Sequence, residues 1–240
     1  MPLEDLKNRL AIDIDLDPQT QSRILRFIEL LLKKNEVMNI TRITSVAGLY
    51  ESHIRDSMQI LPFMPDEGKL LDMGTGAGFP GLILKILKPE WQVTLVDSVR
   101  KKLTFLDEVK ADLGLKGIRT VHARAEDLGQ DKKHRESYDL VTARAVAQLP
   151  VLLEYCLPLV KIDGSFLAMK TLDEDLRKAE VACKTLGGIL HQSKVYQNPS
   201  FQNPAEMTGD QLVIHEFKKK KATPKEYPRR AGTVKQDPIV

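Results

Sequence analysis

Three glycines at alternate positions, Gly74, Gly76 and Gly78, follow closely after an acidic residue, Asp72. A strand that turns sharply into a helix and lets a ligand approach its backbone needs positions without side chains. The helix that follows would offer unpaired amides and a positive dipole end to an anionic group of the ligand. This spacing predicts a loop that binds a cofactor.

Two carboxylates bear on which cofactor that loop binds. Asp72 stands where a carboxylate would oppose a pyrophosphate but suits the ammonium end of an amino-acid ligand. Asp97 ends the next predicted strand, where it can accept hydrogen bonds from two ribose hydroxyls, as either adenosine cofactor requires. Because Gly76, Gly78 and Gly81 also fit the GxGxxG pattern of NAD-binding folds, a NAD-dependent oxidoreductase is an alternative.

Strands and helices alternate around this loop. Short apolar runs predict strands at 70–73, 93–97, 119–122, 138–142 and 165–169, with helical patterns between them. Such alternation is typical of an α/β fold with a doubly wound, mostly parallel sheet. After a predicted helix at 173–186, strands at about 188–197 and 211–218 predict an antiparallel pair joined by a loop at 198–209.

The first 66 residues predict a helical extension. Asp17 followed by Pro18 is a helix start, because the carboxylate caps free amides and proline at the first position loses no hydrogen bond. Ser45 opens a second helix, which Pro62 and Pro65 close. We therefore divide the chain into a helical extension at 1–66, a catalytic domain at 67–220 and a basic C-terminal tail at 221–240.

The charge of the chain is concentrated at its end. From Glu216 onward, eight Lys and Arg residues face three acids, although the formal net charge of all 240 residues is only +3. A near-neutral body with a basic tail fits a polyanionic partner, and a solvated terminus explains the charge equally well.

Composition narrows the class of protein. Hydrophobic residues make up 42% and charged residues 29% of the chain, as in an ordinary globular protein. Two cysteines, Cys156 and Cys183, are too few for a disulfide framework and lack metal-site spacing. Without a signal peptide or a long apolar run, we expect a soluble, cytoplasmic protein with no metal and no membrane partner. A monomer is favoured.

Further motifs accompany the glycine loop. They are N-I-T at 39–41, H-x-x-D-S at 53–57, D-S at 97–98, R-A-E at 124–126, T-A-R-A at 142–145 and A-T-P-K-x-x-P-R-R-A-G at 222–232. Together with D-x-G-T-G-x-G-F-P-G at 72–81, these motifs resemble the RsmG (GidB) family of bacterial 16S ribosomal RNA guanine-N7 methyltransferases. The resemblance extends from about residue 35 to 235. The triple-glycine loop is shared by many methyltransferases, whereas G-F-P-G and P-R-R-A-G are specific to this family.

The resemblance implies a class I methyltransferase fold, S-adenosylmethionine as cofactor, and 16S ribosomal RNA or the small ribosomal subunit as partner. On matching positions, Gly74 and Phe79 would line the cofactor site, Ala125 and Glu126 would lie along the adenine, and Arg144 would complete the pocket. With the loop and strand residues, the cofactor-binding set is Asp72, Gly74, Gly76, Gly78, Phe79, Asp97, Ala125, Glu126 and Arg144.

Guanine N7 carries a lone pair and no proton, so its methylation requires alignment and charge accommodation but no general base. We hypothesise that Arg144 orients the target guanine or a nearby phosphate. A structural ion pair with Asp72 or Asp97 is the alternative. His53 shares the apolar stripe of its helix, which favours a structural histidine over a substrate contact.

Basic residues are candidates for phosphate contacts, which position RNA without reading its sequence. The RNA-binding set is Arg42, Lys170, Lys225, Arg229 and Arg230, with Lys218–Lys221 beside it. Deletion of residues 222–240 is then expected to weaken RNA binding more than cofactor binding. A non-catalytic RNA-binding protein is the third possible class.

Overall fold

The computed structural model describes residues 2–13, 16–172, 175–196 and 212–240, so the loop predicted at 198–209 lies outside the described residues. The strands are β1 Lys69–Met73, β2 Gln92–Asp97, β3 Ile118–His122, β4 Tyr138–Arg144, β5 Val160–Thr171, β6 Gly188–Tyr196 and β7 Leu212–Lys219. The α-helices are α1 Pro2–Asp13, α2 Pro18–Asn35, α3 Val46–Leu49, α4 Asp56–Met58, α5 Gly81–Leu87, α6 Arg100–Asp112, α7 Ala125–Gln130, α8 Leu149–Cys156, α9 Leu176–Thr185 and α10 Thr233–Gln236. A π-helical segment, Tyr50–Arg55, and two 3₁₀ turns, Leu61–Phe63 and Leu157–Leu159, complete the described elements.

The seven strands form one sheet in the order β3-β2-β1-β4-β5-β7-β6. Strands β1 to β5 run parallel, and β7 pairs antiparallel with both β5 and β6. Met73 of β1 is the register partner of Val96 in β2 and of Ala143 in β4, so these strands end at one edge of the sheet. The order reverses between β1 and β4, and ligands of open α/β sheets bind at such a reversal. The predicted α/β fold class is confirmed.

The two predicted helix starts are present. Asp17 caps α2 by accepting hydrogen bonds from the amides of Gln19 and Thr20, and Pro18 occupies the first helical position. The Ser45 hydroxyl caps α3 by accepting from the Gly48 amide. The π-helical segment that continues α3 was not predicted, because apolar spacing does not distinguish it from an α-helix.

Apolar side chains form two clusters on the two faces of the sheet. Leu70 belongs to one and Leu71 to the other, because successive residues of a strand face opposite sides. The first cluster joins Phe27 of α2 with Leu82 of α5 and Leu106 of α6, so the N-terminal helices share a core with the catalytic domain. The second cluster packs α8 and α9 against the opposite face. Among the described helices, none has the length and apolar character to cross a membrane.

Candidate active site

The glycine loop connects β1 to α5 at the carboxyl edge of the sheet. Gly74 has a φ of +71°, and a Cβ there would lie 2.6 Å from the Val146 side chain. Gly81 lies so close to β2 that a Cβ would come within 2.5 Å of the Leu95 side chain. Both positions therefore need glycine, the first for backbone conformation and space and the second for space alone.

The backbone amides of this loop are engaged within the protein. Gly74 and Thr75 donate to the Val96 carbonyl, and Gly81 donates to the Asp72 carboxylate. Internal acceptors are present for the amides of Gly74, Thr75, Gly76, Gly78, Phe79, Gly81 and Leu82. The expectation that the helix start offers unpaired amides to an anion is therefore wrong for these seven residues, because their amides donate to carbonyls and carboxylates of β1, β2 and the loop itself.

Asp72 lies beneath the loop and is only 1% exposed. Its Oδ2 accepts from the Gly81 amide at 2.9 Å. Its Oδ1 and the Thr75 hydroxyl are buried without a hydrogen-bond partner among the described residues. Burial, the largest cause, raises the pKa of Asp72 to about 6. The carboxyl group thus ties the end of β1 to the first residue of α5, across the base of the loop.

Asp97 stands at the end of β2 and is 6% exposed. Its Oδ2 accepts from the Gly76 amide at 3.0 Å and its Oδ1 from the Val99 amide at 2.8 Å. These two bonds fix the carboxylate plane, and each oxygen retains acceptor capacity for a further donor. The group is thus oriented to accept from two neighbouring hydroxyls.

A cavity of about 770 Å³ opens beside Gly74 and Asp97. Ligand pockets for molecules of cofactor size usually have volumes of roughly 300–1,000 Å³. Ala125 and Glu126, at the start of α7, line the cavity, and the Tyr155 hydroxyl donates to Glu126 at 3.2 Å. The other lining residues are Met73, Val96, Ser98, His122, Ala123, Arg124, Asp127, Val146, Tyr155, Gly232 and Lys235. A glycine cradle, a two-acceptor carboxylate and a slot beside Ala125 can hold an adenosine.

Other residues of the predicted cofactor set are absent from the lining of this cavity. Asp72, Gly76, Gly78 and Phe79 are not among the described residues that line the cavity. The Phe79 ring is buried and contacts Phe27, with ring centroids 5.2 Å apart. Asp72, Gly78 and Phe79 are buried and support the loop from beneath, whereas Gly76 is half-buried.

Arg144 ends β4 and anchors a polar cluster at the same edge. Its Nη1 donates to Asp56 Oδ2 and to the Ser52 carbonyl, both at 2.6 Å. The Tyr196 hydroxyl donates to the other Asp56 oxygen at 2.5 Å. Arg144 therefore forms a structural ion pair, but its partner is Asp56 rather than the Asp72 or Asp97 considered from the sequence. The sequence analysis did not identify Tyr196, on β6, as a site residue, because it lies in no recognised motif.

His53 belongs to this cluster as a neutral imidazole. Burial first and then the Arg144 charge lower its pKa to about 4. Arg144 Nη2 lies 3.1 Å from His53 Nδ1, and Thr41 Oγ1 lies 3.2 Å from His53 Nε2. His53 Nδ1 also lies 2.9 Å from the Ser52 carbonyl oxygen, so a donor (Arg144) and an acceptor (Ser52) compete for this nitrogen. The ring stacks on Phe79 with centroids 4.4 Å apart.

This depressed pKa predicts a pH-dependent contribution to stability. Because only the unfolded chain binds the proton between pH 6.5 and about 4, the contribution of His53 to the free energy of unfolding falls as the pH falls. We expect a loss of about 2 kcal/mol between about pH 7.5 and about pH 5. Urea unfolding of the wild type and of His53→Gln at both pH values measures it. Asp72 titrates in both proteins, so its contribution cancels in the comparison. A difference in the free energy of unfolding between wild type and His53→Gln that is the same at both pH values would contradict this prediction.

A second, smaller cavity of about 190 Å³ lies at the ends of β4 and β5. Asp56, Arg144, Met169, Lys170 and Tyr196 are among its lining residues. Lys170 Nζ donates to the Ala147 carbonyl at 2.9 Å, which holds the ammonium group at the cavity wall. The site therefore has two compartments along one edge of the sheet.

Two of the predicted phosphate contacts need correction. Arg229 is held by the fully buried Glu154, with Nε 3.0 Å from Oε1 and Nη2 2.8 Å from Oε2, and also by Asp237 at 3.3 Å. Lys219 is fully buried and donates to the Leu157 carbonyl at 2.7 Å. Their charges serve internal contacts. Arg42, Lys225 and Arg230 are exposed.

Sequence relatives share most of this chain. The profile of the GidB family, described as rRNA small subunit methyltransferase G, matches residues 20–205. Ribosomal RNA small subunit methyltransferase G of Lactobacillus delbrueckii subsp. bulgaricus is 45% identical over 230 residues, which cover 93% of each chain. The protein of that name from Halalkalibacterium halodurans is 46% identical over 214 residues, 87% of each chain. The chain belongs to this family.

Membership of the rRNA small subunit methyltransferase G family confirms the resemblance seen in the motifs. Solved structures of distant sequence share the fold. A 16S rRNA (adenine-N1)-methyltransferase from Catenulisporales acidiphilia, solved with SAM, has a TM-score of 0.53 at 15% identity, over 68% of this chain and 88% of the other. Geranyl diphosphate C-methyltransferase from Streptomyces coelicolor has a TM-score of 0.54 at 10% identity, over 69% and 78%. Since their named substrates differ so widely, these similarities establish the fold alone.

Proposed function

We propose that this chain transfers the methyl group of S-adenosylmethionine to N7 of a guanine in 16S ribosomal RNA. The observation that carries the proposal is the adjacency of the two compartments. Gly74 and Arg144 directly follow Met73 and Ala143, which are register partners in adjacent strands. A cofactor held at Gly74 and Asp97 would thus lie next to a substrate held at Arg144. A family named for methylation of small-subunit RNA supports the same activity.

The residues of the larger cavity suit the cofactor. Asp97 would accept from both ribose hydroxyls, Ala125 leaves room for a flat ring, and Glu126 would accept from an exocyclic amine. Gly74 lets the ligand approach the backbone, while Asp72 holds the loop from beneath. When bound, S-adenosylmethionine supplies a methyl group on a positively charged sulfur.

The chain's own residues would align the guanine rather than remove a proton. N7 carries no proton, and neutral His53, bonded to Arg144 and Thr41, needs no part in proton transfer. Arg144 and Lys170 at the smaller cavity would orient the base or its phosphate. Methylation builds positive charge on the purine, and the Asp56 carboxylate offsets the nearby Arg144 cation.

RNA contacts outside the cavities are assigned to exposed cations. Arg42 lies in the turn between α2 and α3, and Lys225 and Arg230 lie on the C-terminal tail (221–240). Such contacts would add salt-dependent affinity without base specificity. The division into an extension at 1–66, a catalytic domain at 67–220 and the tail remains a prediction.

The proposal is tested with small subunits reconstituted from two RNA transcripts. One contains guanosine and the other 7-deazaguanosine, which lacks only the N7 atom. We expect labelled methyl transfer to the first, with 7-methylguanosine in its nucleoside digest, and none to the second. Equal transfer to both transcripts would place the methyl group elsewhere. Binding of NAD with no transfer would instead support the oxidoreductase, and RNA binding with no transfer would support a non-catalytic protein.

A further inference from the structure

The C-terminal tail is attached to the body of the protein by polar contacts along its length. The Arg135 guanidinium donates to the carbonyl oxygens of Thr223 at 2.8 Å, Pro224 at 3.0 Å and Tyr227 at 2.7 Å. An arginine that donates to three carbonyls of one segment fixes the path of that segment, because its donors form a rigid fork.

Helix α7 provides a second attachment. Gln130 Nε2 donates to the carbonyl oxygens of Lys225 at 3.2 Å and Pro228 at 2.9 Å. Pro228 is buried against Gly129, where a Cβ would lie 2.6 Å from the proline ring. The first half of the tail is therefore packed onto α7, the helix that carries Glu126.

Helix α8 holds the second half of the tail. Glu154 accepts from the Arg229 amide at 2.8 Å in addition to the guanidinium. Val234 of α10 is fully buried in the apolar cluster that contains α8. Since a charge with no exposed surface requires a paired partner, the Glu154–Arg229 contact is a fixed point of the tail.

These attachments bring the end of the tail to the cofactor cavity. Gly232 and Lys235 line it together with Asp97 and Glu126. The same helix that holds Arg229 through Glu154 holds Glu126 through the neighbouring Tyr155. Helix α8 therefore contacts both the tail and a lining residue of the cofactor cavity, so a shift of the tail would change the shape of that cavity.

We infer that the C-terminal tail forms the outer wall of the cofactor cavity and that Lys235 binds the cofactor; this rests on the proposed function. The cavity is lined by the acids Asp97, Glu126 and Asp127 and by the cations Arg124 and Lys235, and the Lys235 ammonium group supplies three hydrogen-bond donors. The tail therefore contributes to cofactor affinity in addition to the RNA contacts expected from the sequence.

The experiment measures binding of S-adenosylhomocysteine by calorimetry and of a 16S RNA fragment by filter binding. Lys235→Gln tests the wall directly, and Gln236→Glu is its control, because it changes the charge by the same amount at an exposed position of the same helix. The double variant Glu154→Gln with Arg229→Gln removes the charges of the anchor without leaving one of them buried alone.

We expect Lys235→Gln to weaken S-adenosylhomocysteine binding about threefold to tenfold, as for loss of one ordinary hydrogen bond, because solvent screens the charge of the exposed Lys235. The double variant should weaken it about tenfold or more, and Gln236→Glu should not change it. In methyl transfer, Lys235→Gln should raise the KM for S-adenosylmethionine with kcat unchanged, and Lys235→Arg should restore the KM. If Lys235 had only a structural role, its replacement would not raise KM selectively while kcat stays unchanged.

The outcomes distinguish the two proposals. If the wild type does not bind S-adenosylhomocysteine, the proposed function is overturned and the inference with it. If the wild type binds it and Lys235→Gln and the double variant bind it equally well, the wall is refuted while the proposed function stands. If these variants bound RNA more weakly but S-adenosylhomocysteine with unchanged affinity, the tail would be an RNA-binding segment and not a wall of the cofactor cavity. Thermal melting shows whether the double variant folds. If it does not, Lys235→Gln still tests the inference, because Lys235 is exposed and its replacement leaves the core intact.

Discussion

Replacing Asp97 with alanine is expected to weaken binding of S-adenosylhomocysteine by about 100-fold or more, because a charged acceptor for two hydroxyls is lost. The loss extends beyond the ligand contacts. Asp97 also accepts from the amides of Gly76 and Val99, so the variant leaves two backbone donors unpaired beside the cavity. Calorimetric titration of the folded variant measures the effect.

Two matched variants separate these causes. Asp97→Asn keeps one acceptor oxygen and the side-chain volume, so we expect an intermediate affinity. Asp107→Ala removes an aspartate of α6 that bonds Thr120 and Lys110 outside the cavity, and it should bind like the wild type. An Asp97→Ala protein that retains wild-type affinity would remove the ribose assignment altogether.

Replacing Arg144 with alanine should lower both stability and methyl transfer. Asp56 is 5% exposed, and its ion pair with Arg144 would be broken from one side only. Leaving a buried charge without its partner costs about 3 kcal/mol or more in the free energy of unfolding. We expect methyl transfer to fall about 100-fold, because a group that orients the substrate is also lost. Urea unfolding and single-turnover methylation of small subunits measure the two effects.

Conservative variants at this pair show which effect dominates. Arg144→Lys keeps the charge but not the planar fork, so it should recover more stability than activity. A double-mutant cycle of Arg144→Ala with Asp56→Asn gives the coupling energy, since the double variant leaves no lone buried charge. If Arg144→Ala retained wild-type methylation with unchanged cofactor affinity, the substrate-orienting assignment would be wrong.

The sequence by itself determined the class of fold and the place of the cofactor loop. Asp17 and Ser45 cap the helices that local spacing predicted, and Asp97 ends the strand that its apolar run predicted. These features are readable because caps, strand periodicity and tight turns depend on residues only a few positions apart. The carboxyl ends of parallel strands then converge at one edge, whatever the details of packing.

Only the tertiary structure decided which charged groups meet. Asp56 and Arg144 are 88 positions apart, and Glu154 and Arg229 are 75 apart, so no local pattern could pair them. The sequence suggests that Lys219 and Arg229 belong to a basic surface. In the structure Lys219 is fully buried, and both residues donate hydrogen bonds to acceptors within the protein. A side chain's partner is set by which elements pack together, and that choice depends on the burial of the whole chain rather than on its neighbours in sequence.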